Sequence, residues 1–219
     1  SVHPVDASNV IRLRAQVANA VAASITNETA PYPPNYYARM RVFAAEEPIR
    51  TTDIVMLGNS LTEGGRNWAE KLGKPNVRRG ISGDVVMGVD DRLFQITPYK
   101  PSKIFLLIGV NDVSHDLSVD SIVNNIRLLV DHIRAQSPKT KLVLQSLLPI
   151  RESTGRWKRL QINARLETLA RERGLTFINL FPHFAEPGTN IMRADLTSDG
   201  LHLNKAGYDV WVKQLKPHL

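Results

Sequence analysis

The sequence predicts an α/β protein in which five parallel strands form one sheet with helices on both faces. From Asp53 onward, short apolar runs alternate with amphipathic segments, the order typical of βαβ units. The runs are nearly continuous in apolar residues, which favours strands that are buried on both faces of the sheet. The chain has 219 residues, which is long enough for one well-filled core and short for two ordinary domains.

The first 52 residues do not follow this alternation. An amphipathic helix is predicted between Asp6 and Thr29 from five apolar residues at helical spacing: Val10, Leu13, Val17, Val21 and Ile25. Three prolines, at positions 31, 33 and 34, end this helix, and a second helical stretch covers Tyr36–Ala45. We interpret residues 1–52 as an N-terminal helical extension packed on a main domain of residues 53–219. A helix that binds a partner is the alternative.

The alternation after Asp53 predicts the strands and helices in order. The strands are predicted from five short apolar runs: Ile54–Leu57, Val77–Ile81, Lys103–Ile108, Lys141–Leu148 and Thr176–Leu180. The segments between and after them predict a helical turn and four helices: Asn67–Leu72, Val89–Ile96, Val119–Gln136, Leu160–Arg173 and Lys205–Leu215. The clearest helix is Val119–Gln136, because its apolar residues fall on one face.

Composition and motifs exclude several classes of function. The chain contains no cysteine, which removes disulfides, thiol nucleophiles and zinc–thiolate sites. The formal charge is +7, but the basic residues are scattered without aromatic residues between them, so we expect no nucleic-acid partner. The longest apolar run, Ile104–Val110, is the length of a strand and too short to span a membrane. Motifs for metalloproteases, P-loops and dinucleotide cofactors are absent, so we expect neither a metal nor a cofactor.

Small and polar residues follow the predicted strands. In a parallel sheet the ligand site lies beyond the carboxyl ends of the strands, so these residues are candidates for chemistry. Three segments follow the first three strands and a fourth precedes the last helix: Gly58–Thr62, Gly80–Asp84, Gly109–Asp112 and Asp199–His202. Acyl transfer requires a nucleophile, a base with an orienting carboxylate, and hydrogen-bond donors for the oxyanion.

Three residues of these segments have the side chains of a catalytic triad. Ser60 follows the first strand, and we predict it to be the nucleophile; its alternative role is a helix N-cap. His202 lies three residues after Asp199, so one turn can present both side chains to one cleft. Asp199 would then orient the imidazole, and His202 would accept the proton of Ser60. The alternative is an N-cap aspartate with an incidental surface histidine.

Two further residues are candidates for an oxyanion hole. The side-chain amide of Asn111 and the backbone N–H of Gly83 can each donate a hydrogen bond to a developing negative charge. Taken alone, Asn111 is more typical of a turn and Gly83 of a bend. The joint occurrence of all these residues at the strand ends favours a serine hydrolase.

The four segments, in the forms GNSLTEGG, RGISGD, GVND and DGLHLN, resemble the sequence blocks of the GDSL/SGNH hydrolase superfamily. The likeness covers Asp53 to about Leu215 and is greatest to bacterial esterases similar to platelet-activating factor acetylhydrolase, some of which are sialate or other carbohydrate O-acetylesterases. It implies a flavodoxin-like three-layer α/β/α sandwich and a Ser60–His202–Asp199 triad. It also implies that the backbone N–H of Ser60 joins Gly83 and Asn111 in the oxyanion hole.

One residue departs from the family pattern. Asn59 stands where the family usually has aspartate, so the support of the Ser60 loop can differ. This position is not a member of the triad, and we still expect activity.

The sequence therefore predicts a serine esterase that removes acetyl or another short acyl group from a carbohydrate. The alternatives are a lysophospholipase or thioesterase that acts on longer chains, and a non-catalytic module that binds acylated glycans. His115 is a candidate for the substrate cleft, although an exposed loop position explains it equally well. Trp157, in a loop that follows the fourth strand, is a candidate for an aromatic side chain on the substrate side. The resemblance favours a periplasmic or secreted location, and the sequence leaves the oligomeric state open.

Overall fold

The computed structural model describes residues 31–219, so the predicted helix between Asp6 and Thr29 lies outside the described residues. Five parallel strands form one sheet in the order β2-β1-β3-β4-β5. The strands are β1 Ile54–Gly58, β2 Asn76–Gly80, β3 Lys103–Leu107, β4 Lys141–Gln145 and β5 Thr176–Ile178. The predicted fold class is confirmed.

Nine α-helices lie among the described residues. They are α1 Pro34–Ala45, α2 Ser60–Glu63, α3 Trp68–Leu72, α4 Val86–Asp91, α5 Val110–Ser114, α6 Val119–Gln136, α7 Arg156–Arg173, α8 Phe181–Phe184 and α9 Lys205–Leu215. Short 3₁₀ turns occupy Leu93–Gln95, Thr97–Tyr99, Ala194–Leu196 and Lys216–His218. Helices α6 and α9 have the predicted bounds.

Side-chain alternation along each strand divides the core into two layers. Val55, Leu57 and Ile104 face one cluster, which includes the apolar faces of α6 and α7. Met56 and Phe105 face the other, which contains Trp211 of α9. Successive side chains in a strand point to opposite faces, so a continuous apolar run is required when both faces are covered. The sheet therefore lies between two layers of helices.

Helix α1 packs against the first of these clusters. Met40 and Phe43 are 1% and 4% exposed and belong to the same cluster as Val86 of α4. The hydroxyl of Tyr36 donates to the carbonyl of Gly88 over 2.6 Å. Gln95 Nε2 donates to the carbonyl of Met40 over 2.9 Å. Residues 34–45 thus share a core with the sheet, and the division of the chain at residue 52 stays a prediction.

Several elements differ in their bounds from the sequence prediction, among them the fifth strand, which ends at Ile178, and helix α7, which begins at Arg156. The predicted strand Lys141–Leu148 ends at Gln145, because Leu147 pairs with a side chain instead of a strand. Asn163 accepts from the Leu147 N–H over 2.7 Å and donates to the Leu147 carbonyl over 3.0 Å. The predicted helix Val89–Ile96 starts earlier, at Val86, and its α-helical part ends at Asp91 before a 3₁₀ turn.

Within residues 31–219, every helix is too short or too polar to cross a membrane.

Candidate active site

The four polar segments meet at the carboxyl edge of the sheet. The segments that follow β1, β2 and β3 carry Ser60 in the first turn of α2, Gly83 in a loop, and Asn111 in the first turn of α5. The loop before α9 carries Asp199 and His202. The paired ends of β1 and β2 bring the first two loops into contact, since Ile81 N–H donates to the Gly58 carbonyl over 3.2 Å. Parallel pairing therefore collects side chains that lie far apart in the sequence.

Ser60 is the first residue of the short helix α2. The preceding Asn59 forms the N-cap, and its Oδ1 accepts from the Leu61 N–H over 3.0 Å. Asn59 is fully buried, and its Nδ2 has no hydrogen-bond partner among the described residues. Asn59 therefore caps this helix. Ser60 is not the N-cap, which was its alternative role in the sequence analysis.

Ser60, His202 and Asp199 form a continuous hydrogen-bonded chain. Ser60 Oγ lies 3.1 Å from His202 Nε2, and His202 Nδ1 lies 2.6 Å from Asp199 Oδ2. The other carboxylate oxygen, Oδ1, accepts from the N–H groups of Leu201 and His202 over 2.9 and 2.7 Å. These contacts hold the aspartate in one orientation, with its second oxygen facing the imidazole.

The same contacts determine the charge of Asp199. The hydrogen bond with His202, together with the two backbone N–H donors, holds the pKa of the Asp199 carboxyl well below its usual range. The carboxylate is therefore ionised at neutral pH. An ionised partner keeps the Nδ1 proton on His202, which leaves Nε2 free to accept a proton from Ser60.

Asn111 lies near Gly83, because it is hydrogen-bonded to the backbone of the next residue, Asp84. Gly83 has φ +80°, a region that disfavours side chains, and its N–H has no hydrogen-bond partner among the described residues. Asn111 Nδ2 donates one hydrogen bond to the Asp84 carbonyl over 2.9 Å, so its second N–H remains available. The segments after β2 and β3 thus carry donors that are available at the same edge of the sheet as the Ser60–His202 pair.

Comparison with known proteins identifies the family. A sequence profile of the GDSL-like lipase/acylhydrolase family matches residues 56–210. The chain belongs to this family. This GDSL-family protein is accordingly a carboxylic ester hydrolase.

Individual relatives are distant in sequence. The alpha1 subunit of human platelet-activating factor acetylhydrolase IB is 25% identical over 175 residues, which are 76% of this chain and 74% of the human protein. A GDSL-like lipase from Bacteroides thetaiotaomicron superposes with a TM-score of 0.72 at 25% identity and covers 84% of this chain and 96% of its own. An acetyl-xylooligosaccharide esterase from Geobacillus has a TM-score of 0.64 at 20% identity, with 78% and 94% covered.

A buried ion pair behind the cleft of the hydrolase was not predicted from the sequence. Arg92 Nε donates to Asp84 Oδ2 over 2.9 Å, and both side chains are 1% exposed. The guanidinium also donates to the carbonyls of Arg79, over 3.1 Å, and Gly58, over 2.9 Å. Arg92 thereby joins the ends of β1 and β2 to the loop that carries Gly83. In the sequence Arg92 directly follows Asp90 and Asp91, and nothing there indicates that it pairs with Asp84.

Asp112, beside Asn111, is a second buried carboxyl group. Both of its oxygens lie within hydrogen-bond distance of the Val86 N–H, at 3.1 and 3.3 Å. Burial raises the pKa of Asp112 to about 6, against an ordinary value of 3.8. Helix α5, which carries Asn111, is therefore connected to the start of α4 through a group with a pKa of about 6.

The remaining candidates are exposed side chains on two helices. His115 is exposed at the end of α5, and Trp157 is 72% exposed in the first turn of α7. In the part of the chain that the structure describes, no three His, Cys, Asp or Glu residues are grouped closely enough to hold a metal ion.

Proposed function

We propose that the hydrolase is a serine esterase that removes acetyl or another short acyl group from a carbohydrate. The chain of hydrogen bonds from Ser60 through His202 to Asp199 is the observation that carries this proposal. Nucleophile, base and orienting carboxylate stand in the order that acyl transfer requires.

In the first step, Ser60 Oγ attacks the ester carbonyl carbon while His202 Nε2 takes the hydroxyl proton. The carbonyl oxygen becomes an oxyanion, which the N–H groups of Ser60 and Gly83 and the amide of Asn111 stabilise. Collapse of this intermediate breaks the bond to the alcohol oxygen, and His202 returns the proton to the leaving alcohol. Asp199 stays ionised throughout and stabilises the imidazolium.

In the second step, water hydrolyses the acyl-enzyme. His202 Nε2 takes a proton from water, and the resulting hydroxide attacks the acyl carbon to form a second oxyanion in the same site. Its collapse releases the carboxylic acid, and the proton returns from His202 to Ser60 Oγ. The acceptor is water, so the net reaction is ester hydrolysis.

The acyl group and the alcohol are inferred from the relatives. An acetylhydrolase and an acetyl-xylooligosaccharide esterase are both similar to this chain, which supports a short acyl group. The second of these names also supports an acylated carbohydrate as the substrate. A lysophospholipase or thioesterase that acts on longer acyl chains is the alternative that the experiment distinguishes.

Initial rates on p-nitrophenyl esters from acetate to dodecanoate test the proposal. We expect acetate to be the fastest substrate and Ser60→Ala to lose turnover by on the order of a millionfold, as when a triad nucleophile is removed. Asn111→Ala removes one oxyanion donor, and its kcat falls by about 10² to 10³. Thermal unfolding of each variant serves as the folding control.

Two outcomes would contradict the proposal. Ser60→Ala protein that keeps more than a tenth of the wild-type rate would exclude Ser60 as the nucleophile. A wild-type preference for long acyl chains would favour a lysophospholipase or thioesterase.

A further inference from the structure

A small pocket opens beside Gly83, away from the Ser60–His202 pair. Its volume is about 160 Å³, and its lining includes Tyr32, Asn35, Tyr36, Ser82, Gly83 and His115. The wall formed by residues 31–36 precedes the region 56–210 that the family profile matches. The pocket therefore lies between Gly83, which is inside the matched region, and a segment that is outside it.

This wall is held in place by specific contacts. Asn35 Nδ2 donates to the Ser82 carbonyl over 2.8 Å, next to Gly83. The rings of Tyr32 and Tyr36 stack with centroids 4.4 Å apart, and the Tyr32 hydroxyl donates to Asp91. Tyr36 is 3% exposed and is anchored to the core through its bond to Gly88. The pocket is thus preformed, which reduces the entropic cost of binding.

The lining combines ring faces with free polar groups. Pro31, Pro33 and Tyr32 contribute apolar surface. The Asn35 Oδ1 and both ring nitrogens of His115 have no hydrogen-bond partner among the described residues. A site with aromatic faces and a few convergent hydrogen-bonding groups fits a ring that carries hydroxyl groups better than a hydrocarbon chain.

The position of the pocket indicates which part of the substrate reaches it. Its lining contains Gly83 but not Ser60, Asn111 or His202. All atoms of an acetyl group lie within two bonds of the carbonyl oxygen and cannot extend past Gly83. The part of an acetyl ester that extends this far is the alcohol.

We propose that this pocket binds a sugar ring of the alcohol and that Tyr32 and His115 determine the preference for carbohydrate esters. This proposal rests on the proposed function, because it assumes a short acyl group transferred to Ser60. Tyr32 stacks on the ring, while Asn35 Oδ1 and His115 hydrogen-bond to its hydroxyl groups.

The experiment compares kcat/KM for acetate release from acetylated xylobiose with kcat/KM for p-nitrophenyl acetate, which has no sugar. We expect Tyr32→Ala and His115→Ala each to lower the ratio of the two constants roughly tenfold, the effect of removing one well-packed contact. Tyr32→Phe is the matched control, because it keeps the ring and should keep the ratio. His115 is exposed and lies outside the 31–36 wall, so its variant tests the pocket without loosening that wall.

The other outcomes would contradict the subsite, the carbohydrate substrate or the esterase activity separately. An unchanged ratio in both alanine variants overturns the subsite while leaving the esterase intact. If instead the variants change the acyl-length profile on p-nitrophenyl esters, the pocket holds the acyl chain and the subsite proposal is wrong. Wild-type protein that cleaves p-nitrophenyl acetate but not acetylated xylobiose overturns the carbohydrate assignment. Wild-type protein that cleaves no ester overturns the proposed function itself.

Discussion

Asp112 shows how a single buried residue makes the molecule sensitive to pH. Its pKa is about 6 in the folded chain because burial disfavours the charged form. The folded pKa is above the ordinary value, so the neutral side chain stabilises the fold at low pH. This stability is fully present below about pH 4 and is lost as the pH rises through 6.

Asp112→Asn removes this titration while keeping the shape of the side chain. The rise of the Asp112 pKa from 3.8 to about 6 corresponds to a free energy on the order of 3 kcal/mol. We therefore expect the free energy of unfolding of the wild type to fall by about that amount, relative to the variant, between pH 4 and 7. Urea unfolding of both proteins across this range measures it, and parallel pH profiles would show that Asp112 does not titrate there.

The buried guanidinium of Arg92 stabilises the fold by donating hydrogen bonds to three acceptors. Replacement by methionine keeps much of the volume but leaves the Asp84 carboxylate buried without its cation. Breaking a buried pair in this way costs about 3–5 kcal/mol. We expect Arg92→Met to lose that much in the free energy of unfolding, measured by urea denaturation.

The double variant with Asp84→Asn separates the charge from the packing. It removes the uncompensated carboxylate, so part of the lost stability should return. A single variant that loses less than about 1 kcal/mol would show that the pair is not needed.

At the scale of the elements, the N-cap of α9 contributes both to the stability of the fold and to the position of the loop that carries Asp199 and His202. Asn204 caps α9 by accepting from the Gly207 N–H over 3.0 Å, and its Nδ2 donates to the Asp195 carbonyl over 2.9 Å. These bonds hold both ends of the loop that carries Asp199 and His202. The cap therefore supports the position of the imidazole as well as the helix.

Asn204→Ala should lower the free energy of unfolding by about 1 kcal/mol, the usual cost of a lost N-cap. Because the loop is released, kcat on p-nitrophenyl acetate should fall as well. Ser118→Ala is the matched control, since Ser118 caps α6 through the Ser121 N–H at 3.1 Å, away from the His202 loop. Equal kcat values in the two variants would mean that the Asn204 cap has no influence on the site.

At the scale of the whole molecule, the packing of α1 determines whether the chain unfolds as one unit. Phe43 is 4% exposed in the shared core and lies under the guanidinium of Arg79, 4.7 Å from the ring centroid. Trp68 and Trp211 lie in the cluster on the other face of the sheet. The two buried tryptophans thus report on a layer to which α1 contributes no residue, while the third, Trp157, is exposed on α7.

Phe43→Ala should lower the free energy of unfolding by about 3–5 kcal/mol, the cost of a large cavity. If α1 and the sheet unfold together, tryptophan fluorescence and far-UV circular dichroism shift to the same lower urea midpoint. A fluorescence transition that stays at the wild-type midpoint would show instead that residues 34–45 unfold separately from the sheet.

The sequence by itself determined the strands, the long helices and the positions at which chemistry-bearing residues occur. Strand β3 and helix α6 were predictable because apolar runs and helical periodicity are local patterns, each read within one segment. The placement of Ser60, Gly83 and Asn111 at one edge also followed, since parallel strands align their carboxyl ends. A buried arginine such as Arg92 carried too weak a signal to be paired with Asp84.

The tertiary structure alone decided which distant residues meet. It set the strand order, and it brought His202 within 3.1 Å of Ser60 across 142 positions of the sequence. It also placed the 31–36 segment beside Gly83, which no periodicity in either segment indicates. The physical reason is that such contacts depend on the packing of whole layers against each other, whereas secondary structure depends mainly on residues that are neighbours in the chain.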